Sequence, residues 1–94
     1  EQDPNFFHSH LMLAELLRSQ GNLVESLPHY NEAVASGPPN PRVHNHWGLA
    51  LLMLGRNKEA AEQFEQAIAL APEYAEAKSN LRRATSASDG KKKK

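Results

Sequence analysis

Ninety-four residues hold one small domain and leave no room for a second core. Eleven Lys+Arg balance eleven Asp+Glu unevenly: residues 1–87 carry seven basic and ten acidic side chains, while residues 88–94 add Asp89 and four lysines. The mildly acidic body excludes the basic surface of a dedicated nucleic-acid binder, and the lack of cysteine excludes disulfides, thiolate zinc sites and a cysteine nucleophile.

Hydrophobic periodicity is helical throughout, and no stretch alternates long enough for a strand. Asp3-Pro4 offers a capping carboxylate and a first-turn proline, predicting a helix to about Gln20 with Leu13, Ala14, Leu16 and Leu17 on one inward side. Gly21-Asn22 ends it, and a second helix follows over about Leu23–Ser36, with Pro28 expected on its solvated side. Gly37-Pro38-Pro39-Asn40 cannot continue a helix, so Pro41 opens a third that reaches Leu54. Gly55-Arg56-Asn57 breaks the chain again, with Gly55 expected at positive φ. A fourth helix covers about Lys58–Leu70, Ala71-Pro72 stops it, and a fifth covers about Glu73–Ala84 before residues 88–94 fade into a disordered basic tail. The longest apolar run, Leu49–Leu54, is far short of the roughly 20 residues of a membrane span. Glu1-Gln2-Asp3-Pro4 lacks a signal-peptide pattern, so a cytoplasmic chain is the expectation.

A shift of 34 residues aligns the chain with itself. Gly21 falls on Gly55, Leu17 on Leu51, Ala14 on Gly48, Tyr30 on Phe64, Ala33 on Ala67 and Pro38 on Pro72. Small, large, turn and stop positions all agree, which marks an internal repeat.

A 34-residue helix–turn–helix with this pattern resembles the tetratricopeptide repeat. The second copy, 41–74, matches closely through Gly48, Leu51, Gly55, Ala60, Phe64, Ala67 and Pro72. The first, 7–40, is more degenerate, with Ser26 where Ala60 stands. Residues 75–87 look like a closing helix, the first helix of a third copy, so that 1–87 form one domain. The resemblance implies an all-α, right-handed helical solenoid of about five helices. It also implies a non-catalytic interaction module whose first helices line a concave groove for a peptide or partner helix. The residues at groove-lining positions are Leu11, Glu15 and Arg18 from the first copy, Arg42, Asn45, His46, Leu49, Leu52 and Met53 from the second, and Asn80 and Arg83 from the closing helix. In the family's lysine–asparagine clamp for chaperone carboxylates, the matching positions here hold Leu11, Glu15, His46, Glu76 and Asn80. Two acids and a leucine there argue against a carboxylate clamp.

Five histidines invite a metal or catalytic role, but His8/His10 and His44/His46 are spaced i, i+2 and point about 200° apart on a helix. Chelation along one helix wants i, i+3 or i, i+4. His10 and His44 are repeat equivalents, so packing near the seam between repeats is the expectation. No nucleophile–base pattern or glycine-rich phosphate loop is present, so neither enzyme activity nor a cofactor is expected. Leu49–Leu54 is apolar on every face. Either it is packed on all sides, or Leu49, Leu52 and Met53 face the groove and are covered by another protomer, a neighbouring repeat or a partner helix. Self-association is therefore a possible outcome within the same class. A nucleic-acid accessory role for the lysine tail is the alternative from another class.

Overall fold

The computed structural model describes residues 6–93, with side chains described through Ala87. Five helices follow one another: α1 (Phe6–Ser19), α2 (Leu23–Ser36), α3 (Pro41–Met53), α4 (Asn57–Leu70) and α5 (Ala75–Lys93). The expected start at Asp3-Pro4 lies outside the described residues.

Local chemistry sets the boundaries. Asn40 accepts the Arg42 backbone N–H at 2.9 Å, and Pro41 sits at the first helical position, where its missing N–H leaves nothing unpaired. The two intra-repeat turns are copies of each other. Gly21 has φ +85° and Gly55 φ +82°. The following residue donates back across the turn in each, Asn22 N–H to the Leu17 carbonyl at 2.8 Å and Arg56 N–H to the Leu51 carbonyl at 2.9 Å. That six-to-one bond with a left-handed glycine closes a helix and reverses the chain within three residues. Pro28 lies inside α2 at an exposed position, where it supplies no N–H to the carbonyl of Val24, itself an exposed residue.

Helices α1 and α2 pack as one hairpin, α3 and α4 as another, and α5 lies mainly on α4, in the relation that α3 has to α2. Small residues allow the close approach: Ala14, Ala33, Ala50, Ala60, Ala67, Ala77 and Ala84 are buried, with Tyr30 and Phe64 filling the space between them. The result is an elongated body of 50 × 29 × 18 Å. Among the described residues there is no strand, and no helix is long and apolar enough to cross a membrane.

Three local expectations are corrected. Leu13 and Leu16 do not join Ala14 and Leu17 inside; they are 41% and 52% exposed. Helix α5 does not fade after Ala84 but continues to Lys93: no proline follows to break it, and Gly90 weakens the helix without ending it. His10 and His44 lie within their repeats, between first and second helix, and not at the seam between repeats. His10 Nδ1 is 3.1 Å from His29 Nδ1, and His44 Nδ1 donates to Gln63 Oε1 at 2.8 Å.

Candidate partner-binding groove

Helix α3 touches α1 on one side and α5 on the other, so the three first helices of the array form one continuous face. Between α1 and α3 this face sinks into a depression of about 400 Å³, lined by Leu11, Met12, Glu15, Arg42, Val43 and His46 together with His8 and Asn40. Met12 is 58% exposed and Arg42 is exposed, while Val43 forms the buried floor. Among the described residues Arg42 has no ion-pair partner. The depression thus offers apolar surface with a guanidinium beside it.

One wall is held by a polar network that joins both repeats. His46 Nδ1–H donates to Glu15 Oε2 at 2.5 Å, Arg18 Nη2 donates to Glu15 Oε1 at 3.0 Å, and Arg18 Nε donates to the Tyr30 hydroxyl at 2.9 Å. Partial burial works against a charge on Glu15, but the hydrogen bonds and charges of His46 and Arg18 outweigh it and hold the carboxyl below its ordinary range. Burial dominates at Tyr30. It pushes the phenol up to about 12, with Arg18 opposing and the Glu15 charge adding to the rise. Glu15 therefore reaches across the repeat boundary and sets the position of α3 against α1.

A second network lies deeper. Asn80 Nδ2 donates to Asn45 Oδ1 at 3.0 Å, Asn45 Nδ2 to the Tyr74 hydroxyl at 3.3 Å, and Arg83 Nη1 to Asn80 Oδ1 at 3.2 Å. Both asparagines are buried, and no buried side-chain polar atom is left without a partner among the described residues. Asn45 and Asn80, expected in the groove, are engaged with each other and fix the register of α5 on α3.

Leu49 and Leu52, also expected in the groove, are half-buried against the cluster of Leu51, Ala60, Phe64 and Ala84. The run Leu49–Leu54 is apolar all round because α3 has neighbours on several sides: α1, α2, α4 and α5 all touch it. Only Met53 remains outside, 60% exposed. Of the sequence-derived set, Leu11, Glu15, Arg42 and His46 are brought together at the depression; Arg18 supports them from behind. Arg83 is exposed at the α5 end.

Among the contacts that escaped sequence reasoning are the His10–His29 pair and the Glu15–His46 bridge. A signal for the first was present, since His10 and His29 stand 19 residues apart and so do their repeat equivalents His44 and Gln63. Among the described residues no group of three or more side chains is arranged to hold a metal ion.

The comparisons with known proteins agree with the repeat. Two sequence models described as tetratricopeptide repeat match residues 1–41 and 41–74. The chain belongs to the tetratricopeptide repeat family. Such repeats form protein-interaction modules, in general without catalysis. The Sgt2 domain of this family from Aspergillus fumigatus superposes with a TM-score of 0.84 at 22% identity, covering 97% of this chain and 60% of that one. The second such domain of Spaghetti (RPAP3), solved with the HSP90 peptide SRMEEVD, gives 0.81 at 20% identity, covering 85% of this chain and 74% of that one. At these identities the likeness establishes the fold.

Proposed function

We propose that this chain is a binding module that seats an extended peptide or the edge of a partner helix in the depression between α1 and α3. The observation that carries this is the combination at that place: exposed Met12 beside half-buried Leu11 over the buried Val43, with the exposed Arg42 alongside. An apolar side chain of the partner fills the depression, and an acidic group beside it meets Arg42. Glu15 and His46 shape the wall but are already engaged with each other, so they orient the ligand by form more than by charge.

Support also comes from the fold neighbour that holds an HSP90 peptide. The carboxylate-gripping positions differ here, however. By the family resemblance, Glu15 and Glu76 stand at positions matching the carboxylate clamp, and acids there favour an internal segment over a free carboxyl terminus.

An arrayed library of internal and carboxy-terminal peptides, followed by fluorescence anisotropy on the hits, tests this. Arg42→Glu and Met12→Glu should each weaken binding of an acidic–apolar peptide at least tenfold, about 1.4 kcal/mol, while Val24→Glu on α2 leaves it unchanged. Equal loss in all three, or a preference for free carboxyl termini, would refute the proposal.

A further inference from the structure

A second hollow, of about 620 Å³, opens beyond Arg42 on the α5 side of α3. Its walls are Pro41 and Arg42 at the start of α3 and Ala71, Pro72, Glu73 and Tyr74 in the connection from α4 to α5. Asn40 and Arg42 line both this hollow and the α1–α3 depression, so the two share a rim. The Tyr74 hydroxyl is engaged with Asn45, which leaves the ring as an apolar wall. Arg42 and Glu73 are exposed on opposite sides, and neither has an ion-pair partner among the described residues.

The first repeat shows what fills this place. Thirty-four residues earlier, Phe7 corresponds to Pro41 and Gly37 to Ala71. There the Phe7 ring lies so close on Gly37 that a methyl added to the glycine would run into it, and the same ring packs on the cluster of Ala14 and Tyr30. In the second repeat a proline replaces the phenyl ring, and the hollow stays open. Both of its walls belong to this chain, so helices added at either end of the array would not line it.

We propose that this hollow is a second pocket of the partner site, a proposal that rests on the groove reading above, and that it receives an aromatic side chain of the bound segment. The order of groups across the face then sets the partner's pattern. An aliphatic side chain enters the α1–α3 depression, an acid meets Arg42, an aromatic ring enters the hollow and a base meets Glu73. The two pockets flank α3, and a helix with its side chains is about 10–12 Å across. An extended segment covers about 13 Å in four residues and turns alternate side chains to one face. The aliphatic and aromatic residues therefore stand four positions apart, with the acid midway and the base two positions beyond.

The probe is the end-capped peptide Leu-Ser-Asp-Ser-Phe-Ser-Lys, titrated by NMR against the full chain beside two relatives, one with Ala for Phe and one with Asp and Lys exchanged. Losing the Phe should weaken binding about tenfold, the scale of one buried large side chain, and exchanging the charges should weaken it too. Pro41→Phe/Ala71→Gly gives the second boundary the filling of the first. It should erase the preference for Phe while leaving the loss caused by Met12→Glu in place. Pro72→Glu, at an exposed position, should likewise weaken the Phe peptide and spare the Ala peptide, with circular dichroism confirming that each variant is helical. Equal affinity of the parent for the Phe and Ala peptides, or a Phe preference that survives both pocket variants, would overturn the second pocket. Continued loss in Met12→Glu and Arg42→Glu would then show that the groove reading stands without it. Loss in the pocket variants with none in Met12→Glu would refute the joined site, the groove reading being the part that fails. No binding of the probe by the parent overturns the proposal as well, and the groove reading is then judged on its own library hits.

Discussion

The two hairpins share a backbone plan and differ in what fills it. In the first, the aromatic filler is Tyr30, whose hydroxyl meets Arg18; in the second it is Phe64, and the residue equivalent to Arg18 is Leu52. The same exchange recurs nearby. Glu15 becomes Leu49, and buried Ser26, which donates to the Leu23 carbonyl at 2.7 Å, becomes Ala60. Glu15, Arg18, Tyr30 and Ser26 each have a partner in the same hairpin or across the boundary, so the substitutions travel as sets. A hydroxyl on the aromatic calls for a donor, and removing it calls for an apolar neighbour. The lesson is that hairpin two is flanked on both sides, while hairpin one keeps a donor beside its aromatic filler and leaves Leu13 and Leu16 open.

That contrast can be broken deliberately. The largest effect is expected from Leu52→Arg, which sets a guanidinium against Phe64 with no hydroxyl to meet it. Urea unfolding should show a loss of about 2–4 kcal/mol, and adding Phe64→Tyr should return about 1 kcal/mol of it. Full additivity of the two changes would show that the polar pair in hairpin one is incidental.

Next comes an alkaline effect confined to hairpin one. Folding raises the Tyr30 phenol from 10.0 to about 12, so the unfolded chain loses its proton first. Stability from this group is complete below pH 10 and drains as pH rises through 12, by on the order of 2 kcal/mol at 1.36 kcal/mol per unit. Tyr30→Phe should flatten most of that slope in a melting series from pH 9 to 12. A smaller part will persist, because burial also raises Tyr74. An unchanged slope would mean that the hydroxyl is not shielded as described.

Gly48→Ala sharpens the comparison from the other side. Alanine normally improves a helix over glycine by up to about 1 kcal/mol. At Gly48, however, an added methyl would lie 2.5 Å from Phe64 Cε1, whereas hairpin one already accommodates Ala14 beside Tyr30. A net destabilisation of about 1–2 kcal/mol is expected, and a stabilised variant would show that the second hairpin has slack. The smallest effect belongs to Met53→Glu. Its side chain is 60% exposed, and a shift beyond about 0.5 kcal/mol would place it inside the array.

The fold was legible because it rests on residues that act locally. Gly21 and Gly55 make the turns, Pro41 and Asn40 open a helix, and the 34-residue offset brings these signals into register. Which face each helix turns inward was harder to read. Periodicity cannot say how many neighbours a helix has, so the apolar run Leu49–Leu54 left two readings open until α5 was seen to lie against it. Asn45 and Asn80 hold groove-lining positions of the repeat, yet both are buried. Their hydrogen bond spans 35 residues, and nothing local announces it. Leu13 and Leu16 erred in the opposite direction: an apolar residue signals a buried side only when a neighbour exists to bury it.

The claim that the open face between α1 and α3 is where a partner sits can be put to one direct measurement. A photo-crosslinking amino acid is placed at Met12 in the depression or at Val24 on α2, two positions of the same hairpin with similar exposure, 58% and 64%. Each version is irradiated with the acidic–apolar peptide chosen from the library. Cross-linking at Met12, absent at Val24 and suppressed by Arg42→Glu, is the result predicted. Cross-linking at Val24 that Arg42→Glu leaves intact would contradict it.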